Sequence, residues 1–427
     1  MKRDEPGLFR MISDHHAAGV AEARRPPESR TEPARPSIDG QLVRVLLKSL
    51  GEPPVRVTLW NGDSFGPADG EEVAEVRIAS RAGLLKLLVD PEFQFGECYS
   101  DGALEVDGDL VELLAVLMRG LDHRPSSARQ LVDWSRRRCA NTPADSRDNI
   151  QHHYDLGNAF YELWLDSQLA YTCAYFPSRE TTLEEAQIAK MDHVCRKLRL
   201  QPGDTVVEAG CGWGALALHM ATRFGVQVKA YNISCEQLAY ARARARAMGV
   251  EQRVEFIEDD YRNISGRFDA FVSVGMLEHV GRDNYHELGK LIDRVLTQNG
   301  RGLIHSIGLV QPVPLNAWIE KRIFPGADPP TLREMLEVLE PSGFSVLDVE
   351  NLRLHYALTL EHWLRRFEDA RDKVNAMYGE RFVRTWRLYL SGSQAAFNTG
   401  QMQLFQVLFS RQRCNEVPWT RAYLYDH

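Results

Sequence analysis

From Thr205 to Ser306 the chain alternates short apolar runs with helix-length segments, and this alternation constrains the fold more than any other feature. Strands are predicted at Thr205–Val207, Gln227–Tyr231, Val254–Glu258, Phe268–Val274 and Arg301–Ser306. Helices are predicted between them at Ala215–Phe224, Cys235–Met248 and Tyr285–Leu296. Strands separated by helices pair in parallel, with helices covering both faces of the sheet. Right-handed crossovers bring the strand C-termini to one edge, and ligands bind at that edge. The expected fold class is therefore α/β: a doubly wound, mostly parallel, Rossmann-like sheet, joined to a small N-terminal α+β domain.

The first predicted strand runs into Glu208 and then into Gly210, Gly212 and Gly214, ahead of a helix. Glycines at every second position let the backbone turn sharply against a ligand, and the helix N-terminus adds free N–H groups. A dinucleotide loop spaces its glycines G-x-G-x-x-G to seat a pyrophosphate. Here the third glycine comes one residue early and an acid precedes the first. The acid would repel a phosphate and suits a cationic ligand. E-x-G-x-G-x-G is the usual first motif of S-adenosylmethionine methyltransferases, although a bare glycine loop is equally compatible with an ordinary tight turn. Asn232, Asp259-Asp260-Tyr261, Glu278 and His305 fall at the same sheet edge.

With 427 residues the chain has room for two or three domains. Residues 1–38 are rich in proline and charge and are expected to be disordered. Residues 39–125 read as the α+β domain, with helices at 38–50, 81–89 and 109–118 and strands at 55–60, 73–78 and 103–106. Asn61-Gly62 marks a hairpin. A domain of this kind fits a lid or lipid-contacting role, or plain packing. Residues 126–148 read as a linker, and residues 149–427 as the catalytic domain.

Within the catalytic domain, Thr182-x-x-Glu185 predicts a capped helix over 182–198. The apolar stretch 309–330, with Trp318, Ile319, Ile323 and Phe324, reads as a roof over the site. Beyond it are predicted a helix at 331–339, strand at 344–354 and helix from Leu360 to Ser410. The net charge of −8 argues against nucleic-acid binding. No apolar run has the length of a membrane span, and no secretory signal is read at the N-terminus. Seven cysteines, an odd count with no C-x-x-C pair, favour reduced thiols in the cytoplasm and no metal site. For His152-His153, capping and packing are preferred over metal binding.

Several long segments together resemble the cyclopropane-fatty-acid synthase family, which includes the mycolic-acid modifying methyltransferases. They are HHYDLGNAFYELWLD at 152–166, LAYTCAYF at 169–176, LEEAQIAKMD at 183–192, VVEAGCGWG at 206–214, YNISCEQ at 231–237, VGMLEHVG at 274–281, LIHSIG at 303–308, WIEKRIFPG at 318–326 and RLYLSGSQAAFNTGQMQLFQVLF at 387–409. The resemblance implies a class I methyltransferase fold and a site for S-adenosylmethionine. By the same resemblance Tyr171 and Thr172 lie beside the cofactor's amino-acid end, Glu208, Gly210, Gly212 and Gly214 form its loop, Asn232, Ile233 and Gln237 approach the ribose, and Asp260 and Tyr261 contact the adenine. It also implies a bicarbonate ion held by Cys173, Glu278, His305, Ile307 and Tyr356. Two departures stand out. Asn232 replaces the ribose-binding acid of many class members, and Ser391 and Ser393 stand where some relatives carry a cysteine described as catalytic.

The implied reaction is methyl transfer to the double bond of an unsaturated acyl chain in a phospholipid. It passes through a carbocation and bicarbonate-assisted deprotonation to a cyclopropane fatty acid. Aromatic faces can stabilise such a cation without trapping it; Tyr175, Phe176, Trp213 and Tyr356 are the candidates. A methylene- or methyl-branched product, a small-molecule methyltransferase and a non-catalytic lipid-binding protein stay open as alternatives. The resemblance further implies a peripheral location on the anionic inner face of the membrane, and a homodimer is carried as an expectation.

Overall fold

The structure is a computed structural model that describes residues 37–67, 72–122 and 156–425. The predicted tail, apart from Ser37 and Ile38, the predicted linker and the segment Asn149–Asp155 lie outside the described residues. From Ile38 onward the chain packs as one compact unit.

The N-terminal part is a four-stranded sheet, β1 (Val55–Leu59), β2 (Ser64–Phe65), β3 (Ala74–Ile78) and β4 (Leu104–Gly108), in the order β2-β1-β3-β4. Val55, Val57 and Leu59 on β1 and Ala74, Val76 and Ile78 on β3 are buried, which is the period-2 pattern of a sheet with one covered face. Helices Ile38–Ser49, Arg81–Val89, Pro91–Ser100 and Leu110–Asp122 accompany it. The second of these ends at Val89, as the sequence pattern predicts, and the third, which that pattern does not predict, starts directly after it: the Asp90 side chain accepts from the Phe93 N–H and Pro91 occupies the first turn, where a missing N–H costs nothing.

The main sheet contains β5 (Thr205–Ala209), β6 (Gln227–Asn232), β7 (Val254–Glu258), β8 (Phe268–Val274), β9 (Leu296–Leu309), β10 (Phe344–Asn351) and β11 (Met402–Arg411), in the order β10-β11-β9-β8-β5-β6-β7. β5 to β9 pair in parallel, and β11 runs antiparallel between β9 and β10. The α/β, mostly parallel class is as expected. The helix predicted through Ser410 is not. Helices Arg353–Asp369, Arg371–Tyr378 and Glu380–Thr399 end at Gly400, whose φ of +86° closes the last of them. Ten residues, Met402–Arg411, then form β11.

The N-terminal sheet and its helices dock on the catalytic part through a close backbone approach. A Cβ on Gly96 would lie 2.5 Å from the Trp318 indole, so only glycine fits there. Glu97 accepts from Trp318 Nε1 at 3.1 Å and from Arg322 Nε at 2.9 Å. Arg384 donates to the carbonyl oxygens of Tyr99 and Leu104.

Candidate active site

The glycine loop follows β5 directly. Gly210, Gly212 and Gly214 have φ of +84°, +53° and +78°, a region that costs other residues about 1–2 kcal/mol each. The N–H groups of Gly210 and Cys211 both donate to the Tyr231 carbonyl, pinning the turn to β6. Beside Gly212 nothing lies within 4 Å of where a Cβ would stand. That open side is where a ligand can lie against the backbone.

Glu208 lies inside β5 rather than beyond its end, and it is buried. Burial pushes its carboxyl up to about 8, against the pull of the Lys190 ammonium, and its Oε2 has no hydrogen-bond partner. Lys190 is buried as well. Its Nζ donates to Thr172 Oγ1 at 2.8 Å, and burial pushes its ammonium down. On the same helix, Gln187 Nε2 donates to the carbonyls of Ala170 and Thr172. Two polar side chains on the buried face of one helix thus hold the Tyr171–Thr172 segment. Tyr171 and Tyr389 share a hydroxyl–hydroxyl bond of 2.7 Å.

Asn232, at the end of β6, donates to the Gly212 carbonyl and to Gln237 Oε1, while its own Oδ1 accepts from the Ile233 N–H. These bonds give Asn232, Ile233 and Gln237 a shared place beside the glycine loop. Asp260 caps the short helical turn Tyr261–Asn263 and pairs with Arg262 at 3.1 Å. The Tyr261 hydroxyl is buried without a partner.

A second feature opens next to this one. A cavity of about 1260 Å³ is lined by Tyr171, Thr172, Cys173, Glu278, His305, Ile307, Tyr356 and Ser393 among others. Its volume exceeds the roughly 300–1,000 Å³ of ordinary small-molecule sites. Glu278 sits on the turn Leu277–His279 after β8, where its Oε1 accepts from the Ile307 N–H at 2.6 Å. Its Oε2 has no partner, and burial pushes the carboxyl up to about 7. His305 stands on β9, buried, and desolvation holds its ring neutral. Gln406 Nε2 is 3.0 Å from His305 Nδ1; with the amide donating, the ring proton is on Nε2, which has no partner. Cys173 is buried and its thiol is pushed up by burial, so it stays protonated. No group of three or more metal-binding side chains occurs among the described residues.

Of the four aromatic candidates only Tyr356 lines this cavity. Tyr175 stacks between His193 and His355, Phe176 stacks on His362, and the Trp213 indole bonds Asn158. The aromatic wall comes instead from Tyr171, Phe324, Tyr389 and Phe397 together with Tyr356. Trp318, Ile319 and Phe324 of the predicted roof also face it. Three residues were not foreseen: Lys190, Tyr389 and Gln406. A lysine on the apolar face of the 183–198 helix was a readable signal for the first. Gln406 was hidden by the misread strand.

Comparison with known proteins agrees with this geometry. Residues 141–407 match the family model described as mycolic acid cyclopropane synthetase, and residues 42–124 match a domain of unknown function, DUF7884. A probable fatty acid methyltransferase of Pseudomonas putida is 36% identical over 391 residues, covering 87% of this chain and 96% of that protein. The cyclopropane-fatty-acyl-phospholipid synthase of Escherichia coli K12 is 35% identical over 347 residues, covering 80% and 89%. The crystal structure of mycolic acid cyclopropane synthase CmaA1 complexed with SAH and CTAB superposes with a TM-score of 0.60 at 30% identity, covering 62% of this chain and 98% of that one.

Proposed function

The chain belongs to the mycolic acid cyclopropane synthetase family of S-adenosylmethionine-dependent C-methyltransferases, and from that premise we propose that it converts a double bond in a phospholipid acyl chain into a cyclopropane ring. The observation that carries this reading is the placement of two unpartnered buried polar atoms, Glu278 Oε2 and His305 Nε2, on residues that line one large, mostly apolar cavity together with Tyr171 and Thr172.

The chain's residues fit both groups that the family implies. The open side of Gly212 and the buried Glu208 carboxyl, with its unpartnered oxygen, suit a ligand that carries a sulfonium. Glu278, with a proton affinity near neutral pH, can donate from Oε2, and His305 can donate from Nε2, so together they suit a small anion such as bicarbonate. Cys173, Ile307 and Tyr356 complete that pocket, although the Ile307 N–H is already given to Glu278. When bound, S-adenosylmethionine supplies an electrophilic methyl carbon and bicarbonate supplies a base for the proton lost at ring closure.

The remaining work falls to the protein. An isolated alkene is a weak nucleophile, so the walls must hold it in line and dry; such positioning is worth about 7–11 kcal/mol. Leu360, Leu388 and Ile319 line the cavity with apolar surface that suits a hydrocarbon chain. The rings of Tyr356, Phe324 and Tyr389 line the same cavity, and aromatic faces can stabilise a carbocation on the chain without capturing it. Glu278, anchored by Ile307, and His305, anchored by Gln406, hold fixed donors at the site of proton loss.

The test is incubation with S-adenosylmethionine and an oleoyl phospholipid, followed by methanolysis and mass spectrometry. A product heavier by one CH₂ and resistant to mild hydrogenation is expected; an unmodified lipid overturns the reading. The name of the Pseudomonas relative favours a second outcome, a methyl- or methylene-branched chain. A heavier product that still takes up hydrogen would identify it.

Val89 and Val310, both strongly exposed, are among the residues that line the cavity, and apolar side chains at the surface beside it support docking on a lipid surface. The surface we propose is the anionic inner face of a membrane. Co-sedimentation with anionic vesicles at low salt is the check, and protein left in the supernatant counts against it.

A further inference from the structure

The cavity does not stop at the catalytic residues. Its walls continue into the N-terminal part, where Val57 on β1, Val76 on β3 and Leu104 on β4 face Leu46, Leu113 and Leu114 on the flanking helices. These side chains are all buried, yet an open volume remains between them. Protein interiors ordinarily pack at a density near 0.74, with few voids larger than a water molecule. An apolar hollow left between such walls forfeits dispersion contacts that an apolar ligand can restore.

The passage between the two parts runs beside helix Glu380–Thr399. Tyr389, Gly392, Ser393 and Ala396 all line the cavity. Gly392 lies in the helix interior, where glycine costs about 1 kcal/mol relative to alanine. A Cβ built there would meet only Leu114 Cδ1 of the N-terminal helix, at 3.9 Å. The missing side chain leaves the route from Ser393 to Leu114 open.

We propose that the N-terminal domain, residues 42–124, is the far half of the acyl site and receives the methyl-terminal segment of the substrate chain past Gly392. This assignment rests on the acyl-chain reading given above and adds a role for the domain itself. The direction follows from solvation. A charged headgroup cannot enter a hollow walled by Val57, Val76, Leu104 and Leu113, all buried and apolar, without leaving its charge unsatisfied, whereas a hydrocarbon end gains by entering it. The domain would then act as a gauge, placing the double bond at Glu278 and His305 according to how much chain lies beyond it.

Two experiments test this on the full-length protein. In the first, a phosphatidylglycerol carrying a diazirine at the methyl end of an unsaturated chain is photolysed with the protein and S-adenosylhomocysteine, and labelled peptides are mapped. Labels within 42–124, around Val57 and Leu113, are expected; labels confined to 309–326 and 353–400 overturn the proposal. In the second, Gly392→Leu is compared with the parent on two phospholipids that share a double-bond position but differ in the length of chain beyond it. Leucine is a better helix former than glycine and has open space beside it, so the variant should fold and bind S-adenosylhomocysteine as the parent does. The ratio of long-tail to short-tail turnover should fall at least about tenfold, the equivalent of 1.4 kcal/mol. An unchanged ratio overturns the tail assignment while leaving the methylation reading intact. A parent protein that converts neither lipid overturns both.

Discussion

Replacing Glu278 by glutamine separates the demands of folding from those of chemistry. The carboxyl is buried, and burial raises it from its ordinary 4.5 to about 7 despite the Ile307 N–H bond. Between those two values the folded chain holds a proton that the unfolded chain has released. Stability contributed by this group is therefore fully present below about pH 4.5, declines as pH rises towards 7 and stays lost above it. At 1.36 kcal/mol for each tenfold change in proton affinity, the loss is on the order of 3 kcal/mol. Glutamine cannot ionise, and its amide oxygen can still accept from Ile307. Glu278→Gln should therefore be more stable than the parent at pH 8, by an amount that shrinks to nothing near pH 4.5. Denaturant melts at several pH values measure this; taking the difference between variant and parent cancels the similar contribution of Glu208. Turnover should move the other way, falling about 10²–10⁴-fold, the usual worth of a positioned proton-transfer group. A variant no more stable than the parent at pH 8 would refute the burial argument. Undiminished turnover would refute the site.

Three further outcomes are expected. Gln406→Leu strands the His305 Nδ1 atom, at a cost of about 1–3 kcal/mol in stability; kcat should fall while KM for S-adenosylmethionine holds, and Gln406→Glu, whose carboxylate only accepts and draws the ring proton to Nδ1, should leave kcat low. Burial keeps Glu208 protonated up to about pH 8, so a sulfonium beside it should drive off a proton. Calorimetry at pH 7 in buffers of different ionisation enthalpy should then show proton release with S-adenosylmethionine and little with S-adenosylhomocysteine, and Glu208→Gln should abolish the difference. Ser393→Cys should leave the pH profile of turnover unshifted, because Glu278 and His305 rather than a thiolate hold the proton-transfer site; a new rise in rate around the ordinary thiol range would contradict that.

Much of the site was legible because its parts obey strong local rules. Alternating glycines after an apolar run predict positive φ, and Gly210, Gly212 and Gly214 all have it. Thr182 and Glu185 form both bonds of their capping box, and the helix they open carries Lys190 to Thr172. Counting strands puts Glu278 and His305 at the sheet edge, and His305 does pair with Val274, the last residue of β8, although β9 itself runs on to Leu309. The cation-stabilising aromatics were less legible. Tyr175 and Phe176 neighbour Cys173 in sequence, but stacking against His193, His355 and His362 takes their rings elsewhere. Tyr389 and Phe397 arrive from more than two hundred residues away.

β11 shows why the missing piece was missing. A strand is recognised by alternation only when one of its faces meets water. β11 lies between β9 and β10 with both faces covered, and every residue from Gln403 to Ser410 is buried. Its apolar run is then indistinguishable by period from the buried helix before it. The one local mark of the change is Gly400, which accepts the left-handed turn that ends the helix. The consequence is chemical, because the register of β11 sets Gln406 opposite His305. The same limit hid the N-terminal hollow. Each of its walls reads as ordinary core, since burial patterns report which side chains leave water and not whether they meet one another. Only the three-dimensional arrangement, with Gly392 open towards Leu114, distinguishes a packed domain from one that keeps room for a hydrocarbon chain.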